Sequence, residues 1–234
     1  ADMGFLYHLT NRIDLTLTLG RSFRSPSIEE RYKYIDLGNM VRIGDPDLRP
    51  ENGYNLDGGF RVWHPDFNFR INGFVNWFNN MIVEQQGDYI YTYNTGSAAG
   101  TQDTLPALIN ANVDEAMLYG FDMKMDYHLL NNLVLHGTVS YVRGLDTRNN
   151  ENLPLIPPLN GRVGFRYHFP GSFTVDVHSE WAARQDKVAE GETTTPGYAL
   201  VNLSAYSEPV DLGFARLRFK GGIENILDES WQNH

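Results

Sequence analysis

Ten segments of this 234-residue chain alternate apolar and polar side chains, the period of a β-strand rather than of a helix. Across 67–77, Phe67, Phe69, Ile71, Val75 and Trp77 fall on one face and Asn68, Arg70, Asn72 and Asn76 on the other. The same period predicts strands at 5–9, 13–19, 54–62, 117–125, 133–141, 163–169, 173–181, 199–205 and 215–223. The apolar faces carry no charge. The opposite faces hold Arg61, Arg70, Asp122, Lys124, Arg162, Arg166, Asp176, Glu180, Arg216, Arg218 and Glu224.

Alternation by itself fits a soluble sandwich as well as a membrane barrel. Connection lengths separate the two. Short links at 10–11, 64–66, 129–132, 169–172 and 207–212 alternate with long ones at 24–51, 86–114, 144–154 and 184–196. All short turns therefore lie at one end of the sheet and all long loops at the other. Greek-key sandwiches do not sort their connections this way, whereas transmembrane barrels do, with strands of about 9–11 residues crossing at a tilt. The expected fold is an all-β, up-and-down antiparallel transmembrane barrel with its apolar faces toward lipid. Tyr7, Trp63, Phe67, Tyr127, Tyr167, Phe169, Phe173 and Trp181 near strand ends suit a headgroup belt, and each also suits ordinary packing.

Composition removes several classes. Mean hydropathy is −0.40 and no apolar run approaches the roughly 18 residues of a spanning helix, which excludes a helical membrane protein. A net charge of −10 argues against nucleic acid, against docking on anionic lipid, and against an anion-selective pore. With no cysteine there is no thiol chemistry or thiolate metal site. The chain opens inside a strand without a recognisable signal segment, and it is read as a piece of a larger barrel.

The most specific motif lies in the first long loop. Phe23, Arg24, Pro26, Glu29 and Glu30, followed by Gly44, Pro46, Leu48, Pro50 and Glu51, resemble the paired signature of TonB-dependent outer-membrane receptors. Tyr119-Gly-Phe-Asp122, Leu153-Pro-Leu-Ile-Pro-Pro158, Thr195-Pro-Gly-Tyr198 and Glu224-Asn-Ile-Leu-Asp228 follow in the family's order, and Asp45 departs from its commoner Asn. The resemblance implies that 1–234 is a partial C-terminal barrel domain, about ten strands of a barrel of about 22 whose lumen is plugged. The plug domain, the first half of the barrel and the final strand would lie outside it. The implied function is energised import of a scarce ligand across the bacterial outer membrane: a ferric siderophore, haem, cobalamin, a metal or a glycan. The implied partners are outer-membrane lipid, the receptor's own plug, the TonB complex of the inner membrane and a small-molecule or metal-chelate ligand. No cofactor and no nucleic acid are expected.

The signature residues also have structural roles that need no ligand. Ser27 with Glu30 forms a capping box for a short helix, and Asp45, Pro46, Asp47 and Pro50 set turns. Arg24, Glu29 and Glu51 are an alternative ion-paired set at the mouth. For ligand contact, Tyr32, Tyr34 and Met40 in the first loop and Tyr89, Tyr91 and Tyr93 in the second are the candidates, although alternate tyrosines equally suit a strand prolonged beyond the membrane. His64, His136 and His168 show no metal-ligand spacing, and Asp176 with His178 lacks a visible third partner. Ser140 and Ser204 lack a nucleophile elbow, so no enzyme is expected. A passive porin is the nearest alternative, ahead of an outer-membrane enzyme and a soluble sandwich.

Overall fold

β-Branched and aromatic residues at alternate positions fold here into one antiparallel wall of ten strands, in which each wall strand pairs with the next wall strand along the chain. The computed structural model describes residues 1–92, 96, 100–171 and 173–234. Its strands are β1 Asp2–Thr10, β2 Ile13–Arg24, β3 Tyr34–Asp36, β4 Val41–Ile43, β5 Glu51–His64, β6 Phe67–Thr92, β7 Gln102–Leu130 and β8 Leu133–Asp146. They continue as β9 Glu151–Asn152, β10 Asn160–His168, β11 Phe173–Ala182, β12 Tyr198–Ser207, β13 Val210–Asp211, β14 Arg216–Leu217 and β15 Lys220–Ile223, with one short helix, α1 Ile28–Tyr32. The wall runs β1-β2-β5-β6-β7-β8-β10-β11-β12-β15 and does not close on itself. All ten expected strands are present, and among the described residues no helix is long and apolar enough to cross a membrane.

The sheet is inside out by the standard of a soluble protein. On β11, Asp176 is 2% exposed while its neighbour Val177 is 43% exposed. Leu15, Leu17, Leu19, Val163 and Phe165 are likewise exposed, whereas His136, Thr174, His178 and Asn202 are buried. Burying charge while leaving aliphatic side chains outside is stable only where the outer solvent is lipid. Rings gather at the short-turn end: Phe67 meets Phe69 and Tyr127 at 6.1 and 6.0 Å, and Phe169 meets Tyr167 and Phe173 at 4.6 and 4.5 Å.

Two expectations are corrected. Trp63 is not a belt residue: its indole donates to Asp14 at 3.2 Å and the Arg61 guanidinium lies 4.9 Å over its ring, which puts it on the polar face. The tenth strand is also shorter than 215–223. Leu217 pairs back with Val210 in a small hairpin, and the strand that pairs with β12 is Lys220–Ile223. The Phe219 amide donates to the Ser207 hydroxyl at 3.0 Å and its carbonyl accepts from the Ser207 amide at 2.9 Å.

The second long connection is mostly strand. Beyond Asn80, which sits at φ 58°, the arms of β6 and β7 stay paired out to Thr92 and Gln102. At about 3.3 Å per residue they project on the order of 40 Å past the end of β5. This is the prolonged strand that the spacing of the tyrosines allowed.

Candidate functional site

The signature in the first loop builds a corner where that loop leaves the wall. Arg24, the last residue of β2, donates from Nε and Nη2 to Glu51 Oε2 and Oε1 at 2.6 and 2.7 Å. Its Nη1 donates to the two Glu30 oxygens at 2.8 and 3.0 Å. The ion pair therefore involves Glu30 and not Glu29, because Glu30 is the capping-box residue and faces back toward the helix start. Glu29 is exposed and contributes its carbonyl to the Lys33 amide at 3.0 Å. Ser27 and Glu30 exchange both capping hydrogen bonds, at 2.7 and 3.1 Å. Burial alone would raise the Glu30 carboxyl, but the Ser27 amide, the Arg24 guanidinium and the Ser27 hydroxyl together hold it below its ordinary value. Hydrogen bonding to Glu51 chiefly raises Arg24, against burial and with help from Glu30.

The rest of the signature is explained by close packing. A Cβ on Gly44 would lie 2.5 Å from the Arg31 carbonyl carbon, so only glycine lets the returning chain pass α1. Asp45 Oδ1 accepts from the Asp47 amide at 2.9 Å, the turn expected of it. Leu48 is buried, and its carbonyl accepts from Arg31 at 2.9 Å. Glu51 also accepts from the Ile82 amide at 2.8 Å, where β6 outruns β5. Pro26 and Pro50 are partly buried, Pro46 is exposed, and Phe23 is exposed on the lipid-side face of β2.

The two long loops join, a contact that periodicity did not show. β4 pairs in parallel with β7, Val41 opposite Ala107 and Ile43 opposite Ile109, on the edge that β8 leaves free above Ala116. Val41 and Ala107 are buried there. Asn110 donates to the Glu30 carbonyl at 2.8 Å, and Arg42 pairs with Glu84 at 3.2 Å. This docking brings Tyr34 against Tyr89, ring centroids 5.8 Å apart and inclined at 60°. Tyr91 lies on the same face of β6 as Tyr89, and both tyrosines are half-buried. Desolvation raises the Tyr34 phenol first, then Asp36, Tyr89 and Tyr91, so it stays protonated. Tyr32 is 65% exposed and stands apart from this set, and Tyr93 lies outside the described residues.

The third and fourth loops complete the rim. Leu153 packs with Val113 and Ala116, and Phe78, Met81, Leu118 and Ile156 surround them. Asn152 donates to the Val188 carbonyl at 2.9 Å, the Leu155 amide to Glu192 at 2.8 Å, and Gln86 to the Gly191 carbonyl at 3.1 Å.

On the enclosed wall, Asp176 and His178 are not the isolated pair that the sequence suggested, and neither is His136 alone. Arg166 donates to Asp176 at 3.1 Å and Arg162 at 3.4 Å, while His136 Nε2 lies 2.9 Å away. His178 Nδ1 is 2.7 Å from Asp176 and His178 Nε2 is 3.3 Å from the Asn202 amide nitrogen. Because Asn202 Oδ1 already accepts the Asn225 amide at 2.8 Å, its NH2 group faces His178. His178 Nδ1 also lies 2.8 Å from the Arg162 guanidinium, which can only donate, so Asp176 and Arg162 compete for this nitrogen. Gly164 lies opposite both histidines on β10, and its missing side chain makes room for them; a Cβ there would meet His178 Cβ at 2.5 Å. His168 donates to or accepts from Thr174 at 2.8 Å. Among the described residues no cluster of His, Asp and Glu has the geometry to hold a metal.

Comparison with known proteins agrees with this geometry. The TonB-dependent receptor-like β-barrel family model matches residues 3–226. A heme/hemopexin utilization protein C of Haemophilus influenzae is 25% identical over 247 residues, covering 96% of this chain and 34% of the relative. The copper transporter OprC superposes with a TM-score of 0.78 at 20% identity, covering 100% of this chain and 34% of its own. The siderophore receptor PirA from Acinetobacter baumannii superposes with a TM-score of 0.67 at 15% identity, covering 97% and 36%. This chain thus spans about a third of the length of the relatives it matches. With an inverted wall, one-ended long loops and a family match over nearly its whole length, the chain belongs to the TonB-dependent receptor β-barrel family.

Proposed function

We propose that this chain forms part of the wall and the external loops of a bacterial outer-membrane receptor that imports a scarce ligand at the expense of TonB-delivered energy. The observation that carries the reading is the inverted sheet, lipid-ready outside and charge-paired inside, in a chain of this family. The rest of the receptor would supply the remaining strands and a plug that faces Asp176 and its partners.

Among the ligand classes, haem has the best support, because the relatives that align over nearly all of this chain are named for haem and hemopexin utilization. The site we assign is Tyr34 with Tyr89 and Tyr91, a half-buried aromatic surface where the first two loops meet. A raised Tyr34 phenol remains a neutral ring at neutral pH, so it serves as a stacking surface and hydrogen-bond donor rather than as a phenolate ligand. Tyr32 and Tyr93 are outer candidates for the same ligand, and the signature residues hold the loop in place.

The test is growth of a haem-requiring bacterium, stripped of its own haem receptors, that expresses the full-length receptor. Growth on haem that disappears on removing TonB is expected. Replacing Tyr34 and Tyr89 by alanine together raises the haem concentration needed by roughly tenfold, from about 0.5–1.5 kcal/mol per aromatic contact. Growth that persists without TonB would mean a passive pore. Growth on ferric siderophore and not on haem would reassign the ligand.

A further inference from the structure

β8 carries an arginine on the lipid side of the wall. His136 reaches Asp176 and Ser140 reaches Asp122 on the enclosed side, so the alternate residues Leu135, Val139, Tyr141 and Arg143 face outward. Tyr119 is the cross-strand partner of Arg143, and the Tyr141 ring lies 6.1 Å from that of Phe121 on the same outward face. Arg143 is ten residues beyond Leu133, where β8 leaves its short turn. At about 3.3 Å per residue and a tilt of about 40°, it stands about 25 Å from the short-turn end, the height of the apolar band of such a wall. A guanidinium on the lipid face is costly at the midplane and nearly free at this boundary. The fourth loop brings more charge to the same place. Lys187 is exposed and reaches over the Tyr141 ring, its Nζ 5.9 Å from the centroid. Arg143, Arg184 and Lys187 line a cavity of about 230 Å³ beside Pro157 and Pro158, where Asp186 is the one lining carboxylate among the described residues. None of the three cations has an ion pair among the described residues, and Arg143 Nη1 is buried without a hydrogen-bond partner among them. An orphaned buried donor is costly, and an acceptor supplied to it offsets that cost.

We propose that Arg143 and Lys187, with Arg184 beside them, bind a phosphate on the headgroup of an outer-leaflet lipid, and that this phosphate ties the fourth loop to β8. The guanidinium offers a paired N–H fork that matches two phosphate oxygens, and the ammonium adds a point charge. The cavity is smaller than the roughly 300–1,000 Å³ that takes a whole small-molecule ligand, so it suits one anionic group of a larger molecule. That molecule is a lipid because the surface beside the cavity, formed by Val139, Tyr141 and Phe121, is the apolar face of the wall itself. Acyl chains carried by the phosphate cover that face, which a free anion does not. A net charge of −10 turns the chain as a whole away from anionic surfaces, but these three cations are gathered at one cavity. Lys187 Nζ reaches the wall through the Tyr141 ring, close to the limit of about 6 Å for such a contact, so an anion shared with Arg143 strengthens the link.

The experiment titrates the full-length receptor, in a zwitterionic detergent, with a phosphorylated bacterial lipid A, with the same lipid after dephosphorylation, and with inorganic phosphate. Native mass spectrometry counts bound lipid, and hydrogen exchange follows the amides of Asp186 to Val188. Arg143→Gln with Lys187→Gln should bind the phosphorylated lipid at least tenfold more weakly than the unchanged protein, and the three amides should lose the protection that the lipid confers. Lys187→Gln alone, at an exposed loop position, should give a smaller change in the same direction, and it keeps the test in force if the double variant does not fold. Arg21→Gln removes another outward cation, the one over Tyr54 on β2, and should change neither readout. Undiminished binding by the glutamine variants, or equal binding of the dephosphorylated lipid, overturns the proposal. Protection conferred equally by inorganic phosphate would make this a free-anion site and overturn the lipid assignment. None of these readouts involves import, so the outcome is separate from the choice of imported ligand.

Discussion

At the scale of single residues, the signature acts through geometry that can be perturbed one atom at a time. Gly44→Ala places a methyl group 2.5 Å from the Arg31 backbone, and overpacking of this kind destabilises by about 1–3 kcal/mol. Hydrogen exchange on the full-length receptor should show α1 amides losing protection while those of β10 and β11 keep theirs. Glu30 gives a pH signature with a definite sign. Its folded pKa lies below the unfolded value of about 4.3, so its contribution is complete above that value and disappears as pH falls through the lower folded one. Protection of α1 should therefore hold down to about pH 5 and decline below about pH 4, and Glu30→Gln should remove that acid limb. The capping box was readable in the sequence because Ser27 and Glu30 are three apart and their hydrogen bonds are local. The choice of Glu30 over Glu29 as partner of Arg24 was not readable, since it depends on the phase of a five-residue helix relative to a strand end.

At the scale of elements, period and turn length located the ten wall strands, because each strand's pattern is decided by the two solvents on its own faces. Contacts between loops carry no such pattern. The parallel pairing of β4 with β7 joins segments more than sixty residues apart, and nothing in 34–43 alternates regularly enough to announce it. The Tyr34 and Tyr89 contact depends on that pairing and was invisible for the same reason. Val41, fully buried at the joint, is the point to break: Val41→Asp puts an unpaired carboxylate there. The amides of Ala107 to Ile109 that face β4 should then exchange more than tenfold faster, with the barrel strands unaffected. Retained protection would mean that the parallel ladder is not what holds the two loops together.

At the scale of the whole molecule, two media set opposite rules for opposite faces. Val177→Arg on the outer face should destabilise the receptor in bilayers by about 2–4 kcal/mol if it lies near the midplane, whereas Ser204→Arg on the enclosed face should have a much smaller effect. Unfolding by denaturant in lipid vesicles measures both. Asp176→Leu strands Arg162 and Arg166 without their carboxylate. The loss should be about 2 kcal/mol, below the 3–5 kcal/mol of a fully buried pair because each guanidinium keeps roughly a third of its surface in contact with water. The Asp176 cluster was only half legible: Asp176 and His178 stood two apart on one strand, but Arg162, Arg166 and His136 arrive through the registers of β10 and β8. The tall β6–β7 hairpin has a consequence for how such receptors diverge. Its arms pair without slip from Phe67 to Thr92, so one residue gained or lost in either arm would turn Tyr89 and Tyr91 to the opposite side. Lineages that keep the aromatic surface can vary in length freely only between Thr92 and Gln102, or by matched changes in both arms.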